Sequence, residues 1–178
     1  MRIAHSQMTL TEFLSLPDIE TSPAWEFINQ VAEQKTMPTL FHSRIQKRLL
    51  MIIDQAAQGY EALPELRCIF PKSSVVPDVS IIDKKRLPPN NQAIEFAPDW
   101  IIEILSPDQR ATKVITKIQV CLEAGAKLAW LIDPVEGVVM VFWNDQPLEI
   151  LQDGSLLPVL PNLQLELTPM EIFSWMQG

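Results

Sequence analysis

The spacing of apolar positions changes several times along the chain, and each change marks an element. Leu10, Phe13 and Leu14 fall on one helical face and predict a short helix over 9–16, capped by Thr9 or Thr11 and ended by Pro17. Trp25-Glu26-Phe27-Ile28 alternates and reads as a strand, with Asn29-Gln30 turning the chain into a second strand over 31–35. Glu26 falls on the polar side of that alternation, where an exposed strand glutamate is the plain expectation. Ile45, Leu49, Ile52, Ile53, Ala56 and Ala57 follow the 3.6-residue period and predict the longest helix, 39–58, with His42 in its first turn and Gly59 as its stop.

The second half changes character. Strands are expected over 66–70 and 75–82, the latter with Pro77 at the strand start, so that Asp78 sits near a strand end. The proline-rich stretch 83–98 reads as a loop and a candidate mobile flap. Residues 100–105 form a nearly continuous apolar run of the kind buried on both faces of a sheet. Pro107 stops it, and Ser106 or Asp108 caps a helix reaching about Glu123, with Gly125 as the stop. A buried strand follows over 128–132. A hairpin is predicted from 138–143 and 148–151, a tight turn at Asp153-Gly154, and a terminal helix opened by the capping pair Thr168 and Glu171. Phe173, Trp175 and Met176 dock that helix on the body. Strand, helix and strand over 100–132 make the fold class mixed α/β (α+β), with a largely buried central sheet.

Composition narrows the classes. The chain has 178 residues, the size of one ordinary domain over 1–178, and 47% of them are apolar, enough for a sizeable core. Prolines outnumber glycines 15 to 5 but punctuate loops without forming a low-complexity tract. Cys68 and Cys121 sit in apolar surroundings without metal-ligand spacing and read as buried free thiols. The N-terminus shows no apolar signal segment, and no run is long enough to span a membrane, so no membrane association and a cytoplasmic location are expected. A net charge of −8 argues against broad non-specific DNA binding, yet Arg44, Lys47 and Arg48, or Lys84, Lys85 and Arg86, could line a local basic groove.

One residue breaks the pattern. Glu103 stands in Ile101-Ile102-Glu103-Ile104-Leu105, where a carboxylate is costly unless a cation, a metal or several donors compensate it. Asp78 opens another apolar run one loop earlier. Two carboxylates at one end of a small sheet suit Mg²⁺ or Mn²⁺, whose shells need only one or two protein carboxylates. A lysine on the following helix, Lys113 or Lys117, could stabilise charge on a phosphate. The alternative is a buried ion pair between Glu103 and Lys113 or Lys117, with no metal.

These residues, taken together, resemble a known family. Pro77-Asp78 before an apolar strand, Ile101-Ile102-Glu103-Ile104-Leu105-Ser106-Pro107, a helix lysine, Glu123-Ala124-Gly125 and Trp130-Leu131-Ile132-Asp133-Pro134 resemble the PD-(D/E)XK nuclease superfamily, and more narrowly its Uma-two restriction-endonuclease branch. Glu12-Phe13-Leu14, Trp25-Glu26-Phe27-Ile28 and His42-Ser43 extend the resemblance toward the N-terminus. It implies an αβββαβ restriction-endonuclease-like core with extra strands, and a metal held by Asp78 and Glu103. It also implies Lys117 as the catalytic lysine and Glu26 and His42 as pocket residues, reversing the plain expectation for Glu26. Leu105 occupies the strand position where the superfamily usually has its lysine. Lys113 stands where the branch often has aspartate, and Cys121 where it often has tyrosine.

Three functions fit. The first is a divalent-metal-dependent endonuclease acting on nucleic acid, DNA foremost. The second is a degenerate member that keeps the fold to bind nucleic acid or protein. The third is a metal-dependent hydrolase with another substrate. The scattered tryptophans and apolar edges allow a homodimer.

Overall fold

A computed structural model describes residues 2–3, 8–56 and 58–177. The expectations for Met1, Ala4, His5 and Ala57 lie outside these residues. The described residues build two sheets. The smaller has the order β1-β3-β2-β6-β5, from β1 (Arg2–Ile3), β2 (Trp25–Ile28), β3 (Val31–Gln34), β5 (Cys68–Phe70) and β6 (Ser73–Val75). The larger has the order β11-β10-β9-β8-β7-β4, from β4 (Tyr60–Pro64), β7 (Val79–Asp83), β8 (Trp100–Ile104), β9 (Leu128–Asp133), β10 (Val138–Trp143) and β11 (Glu149–Gln152). Within the large sheet only β8 and β9 are parallel, joined through the helix α3 (Ala111–Glu123). With α2 (Leu40–Ala56), the run α2-β4-β7-β8-α3-β9 is the expected αβββαβ succession, and the architecture is mixed α/β as predicted. Among the described residues no helix is long and apolar enough to cross a membrane.

The large sheet is covered on both faces, which is why β8 and β9 are buried along their whole length. Strand alternation divides their side chains. Trp100, Ile102 and Ile104 pack with Ile45, Leu49 and Ile53 of α2. Ile101 packs on the opposite face with Val114, Ile118 and Cys121 of α3. Glu103, two residues on from Ile101, points to that same α3 face. The short helix α1 (Leu10–Leu14) is closed by a capping box between Thr9 and Glu12 and lays Phe13 on Phe27, ring centroids 5.2 Å apart. The terminal helix α4 (Pro169–Ser174) has the predicted Thr168–Glu171 capping box, and Phe173, Trp175 and Met176 pack on the α2-side core.

Four expectations are corrected. The strand foreseen over 75–82 is two strands in two sheets. β6 ends at Val75, Val76-Pro77-Asp78 crosses between the sheets, and β7 begins at Val79. A proline, which cannot donate to a ladder, is suited to this crossing. Second, Tyr60–Pro64, absent from the sequence reading, is a full edge strand paired antiparallel to β7. Its pattern is broken by Glu61 and Pro64, so its identity comes from its partner. Third, the 83–98 loop is pinned. Ile94 bridges Cys68, Ile69 N–H donates to Ile94 C=O at 2.8 Å, and the Arg86 guanidinium lies 4.2 Å from the centre of the Phe96 ring. Fourth, α3 takes no side-chain cap from Ser106 or Asp108. Its N-cap is Arg110, which has no capping bond.

Candidate active site

The five residues singled out in the sequence, Glu26, His42, Asp78, Glu103 and Lys117, converge where the small sheet meets the large one. Each is placed by its element. The register that pairs Val79 with Ile102 brings Asp78, one residue before β7, beside Glu103 on β8. His42 extends the buried stripe of Ile45, Leu49 and Ile53 to the first turn of α2, where Thr39 Oγ1 accepts its backbone N–H at 3.3 Å. Lys117 lies on the buried stripe of α3 with Val114, Ile118 and Cys121. Because α3 covers the face that Glu103 points to, its lysine arrives from above where a strand lysine would stand at Leu105.

Asp78 is held by three donors. Lys35 Nζ lies 2.9 Å from Oδ1, His42 Nε2 3.0 Å from Oδ2, and the Ile104 N–H donates to Oδ2 at 2.8 Å. Burial pushes this carboxyl up, but Lys35 and His42 outweigh burial and hold it well below the usual carboxylate range. Lys117 Nζ stands 2.6 Å from Glu26 Oε1 and 2.7 Å from Glu103 Oε1, and donates to the Val76 carbonyl at 3.1 Å. Burial disfavours the ammonium, yet Glu103, Glu26 and Asp78 raise its affinity for the proton, so it stays charged. Glu26 Oε1 also accepts the Val76 N–H at 2.7 Å. Glu26 is therefore a pocket residue, and the exposed reading drawn from alternation does not hold.

Glu103 differs from the others. Burial, reinforced by Asp78 and Glu26 and only partly offset by Lys117 and Lys35, raises its carboxyl to about 8. Its Oε1 is buried, and the Lys117 ammonium at 2.7 Å offsets only part of the cost of that burial. A carboxylate in this position is under-compensated.

Two residues not foreseen complete the cluster. Lys35 reaches Asp78, donates to the Val76 carbonyl at 2.8 Å, and pairs with Glu65 at 2.6 Å. Gln46 on α2 donates to the Asp78 carbonyl at 2.7 Å and to Glu65 at 3.1 Å. Lys35 ends a polar tail, Glu33-Gln34-Lys35, and no local signal separates it from a solvated strand end. By contrast Lys113, which shares a helix face with Lys117, is half-exposed and pairs with Glu33, away from Glu103. Cys121 is a buried thiol packed in the α3-side core.

The cluster opens into a cavity of about 340 Å³ lined by Glu26, Glu103, Lys117, Lys35 and the tip of the β2–β3 hairpin. Asn29 and Gln30 form that tip with left-handed backbones, φ 50° and 64°, as a two-residue hairpin turn requires. Among the described residues no three His, Cys, Asp or Glu side chains make a ready metal cage. A hard divalent ion needs fewer protein ligands than that. Asp78 and Glu103, two buried carboxylates on neighbouring strands, fit such an ion in number and in chemistry.

The sequence matches, over residues 10–170, the family named Uma2 and described as "Putative restriction endonuclease". The chain is also similar to a solved structure described as a "putative nuclease belonging to DUF820" from Anabaena variabilis. The two are 39% identical, the similarity covers 96% of this chain and 99% of that chain, and the TM-score is 0.91. No curated protein matches the chain.

Proposed function

The chain belongs to the Uma2 restriction-endonuclease family, and from that premise we propose that it is a divalent-metal-dependent nuclease that cleaves phosphodiester bonds in nucleic acid, DNA foremost. The observation that carries this reading is the pair of buried carboxylates, Asp78 and Glu103, set side by side at the head of β7 and on β8, with the Lys117 ammonium 2.7 Å from the second. Asp78 and Glu103 would hold Mg²⁺ or Mn²⁺. When bound, such an ion activates water and draws charge from the phosphate oxygens.

The chain's own residues do the rest. Ile104 N–H and His42 fix the Asp78 carboxylate in one orientation. Lys117 keeps a positive charge beside Glu103, placed to stabilise negative charge as it develops on a phosphate oxygen. Glu26 and the Val76 carbonyl hold that ammonium in place. Pocket walls from the β2–β3 hairpin and the start of α3 limit solvent around it.

A second reading rests on the same lysine. Clamped between Glu26 and Glu103, Lys117 already supplies a counter-charge, as it would in a binding module that has no catalytic role. Thermal unfolding separates the two. A ligand bound only by the folded state stabilises it. Mn²⁺ is expected to raise the Tm of wild type and leave that of Glu103→Gln unchanged. Equal responses, or none in wild type, would leave the ion-paired binding module as the better description.

A further inference from the structure

The two carboxylates open onto different cavities. Glu103, Glu26 and Lys117 line the cavity of about 340 Å³, whereas Asp78 and His42 line a second one of about 240 Å³, together with Gln46 and Glu65. Lys35 and Thr36 line both. The Lys35 ammonium thus stands at the partition, on Asp78, where a cation shared by Asp78 and Glu103 would have to enter.

Its surroundings are lopsided. On the inner side it touches the buried Asp78 and the Val76 carbonyl, and that carbonyl is shared with the Lys117 ammonium. Two ammoniums over one oxygen repel. On the outer side Lys35 touches Glu65, whose side chain is 45% exposed. Glu65 follows β4 with a left-handed backbone, φ 48°, an uncommon conformation for a glutamate, and Gln46 steadies its carboxylate. Lys35 can therefore leave Asp78 and keep a partner. Lys117 has no such exit, since its carboxylate partners, Glu26 and Glu103, both belong to the inner cluster.

We propose that Lys35 is the built-in counter-ion of the metal site: it neutralises Asp78 in the metal-free protein and moves onto Glu65 when a divalent cation binds. The inference rests on the metal reading given above. In that arrangement Asp78 always faces a cation, Lys35 or the metal, which matters because a buried carboxylate left without one is costly. It also makes Lys35 the residue that sets metal affinity.

Two experiments decide it. In a crystal structure of wild type soaked in Mn²⁺, the Lys35–Asp78 contact is expected to be gone and the Lys35–Glu65 contact kept. Metal on Asp78 and Glu103 with Lys35 still on Asp78 overturns the proposal. By calorimetry, Lys35→Met is expected to bind Mn²⁺ about tenfold or more tighter than wild type, the size of one partly buried charge contact. Lys113→Met removes an equal charge from the rim of the same cavity and is expected to change affinity little. If Lys113→Met gains as much, general electrostatics accounts for the effect and the displacement idea fails. A wild type that binds no Mn²⁺ overturns the metal reading and this inference together. Binding by wild type with no gain in Lys35→Met overturns this inference alone. Should Lys35→Met not fold, the wild-type Mn²⁺ structure still decides.

Discussion

The Asp78 carboxylate accepts the backbone N–H of Ile104 at 2.8 Å, so the acid at the head of β7 is anchored by the residue that follows Glu103 on β8. The two candidate ligands are thereby locked in register. Removing the carboxylate in Asp78→Ala strands that N–H and the His42 ring, and leaves the Lys35 ammonium to Glu65 and the Val76 carbonyl. Urea unfolding without metal is expected to show a loss of about 3–5 kcal/mol, the range for breaking a buried charge pair. Asp78→Asn keeps an acceptor for Ile104 and is expected to lose less, while also losing the response to Mn²⁺. A neutral effect of Asp78→Ala on stability would mean that the anchor is not formed in solution.

Lys117 is the only ammonium in contact with Glu26 and Glu103 among the described residues. Lys117→Met leaves the buried Glu103 and the part-buried Glu26 without a cation, with an expected cost of about 3–5 kcal/mol. Adding Glu26→Gln to Lys117→Met is expected to recover part of that loss, because one of the two stranded charges is gone. A double-mutant cycle in urea measures the coupling. Simple additivity of the two substitutions would contradict the contact.

Asp99 offers a pH test away from the cluster. Its carboxylate takes the Asp83 N–H at 2.9 Å and pairs with Arg86 at 2.8 Å and Lys127 at 3.1 Å. Burial pushes its pKa up, but the Asp83 N–H, Lys127 and Arg86 together hold it below its ordinary value. A depressed pKa means that the unfolded chain binds the proton more tightly. The stabilisation is then complete above the unfolded pKa of about 4 and is lost as pH falls through the lower folded value. Wild type is expected to exceed Asp99→Asn in stability at neutral pH, with the gap closing below about pH 4. Urea midpoints measured from pH 3 to 7 would show this, and a gap independent of pH would contradict it.

Much of the site was legible because it violates a local rule. Glu103 is conspicuous in an aliphatic run, and Lys117 falls on the apolar stripe of α3, so each is a charge in a place that expects none. Glu26 and His42 carry no such mark. Alternation along Trp25–Ile28 assigns Glu26 to solvent, and only the family resemblance put it in the pocket. What buries it is the strand crossing at Val76, whose N–H it accepts from 50 residues away.

The sequence by itself determined the helices, the central strands, the hairpins and the two acids, because periodicity, capping pairs and a misplaced charge are local properties. Only the tertiary structure decided that 75–82 divides between two sheets, that Tyr60–Pro64 is a strand, and that Lys35 and Glu65 belong to the cluster. The reason is physical. An edge strand exists through its partner's ladder, and the contacts of Lys35 with Glu65, Val76 and Asp78 close over 30, 41 and 43 residues. Such contacts depend on the packing of one sheet against the other and leave no trace in the pattern of either segment alone.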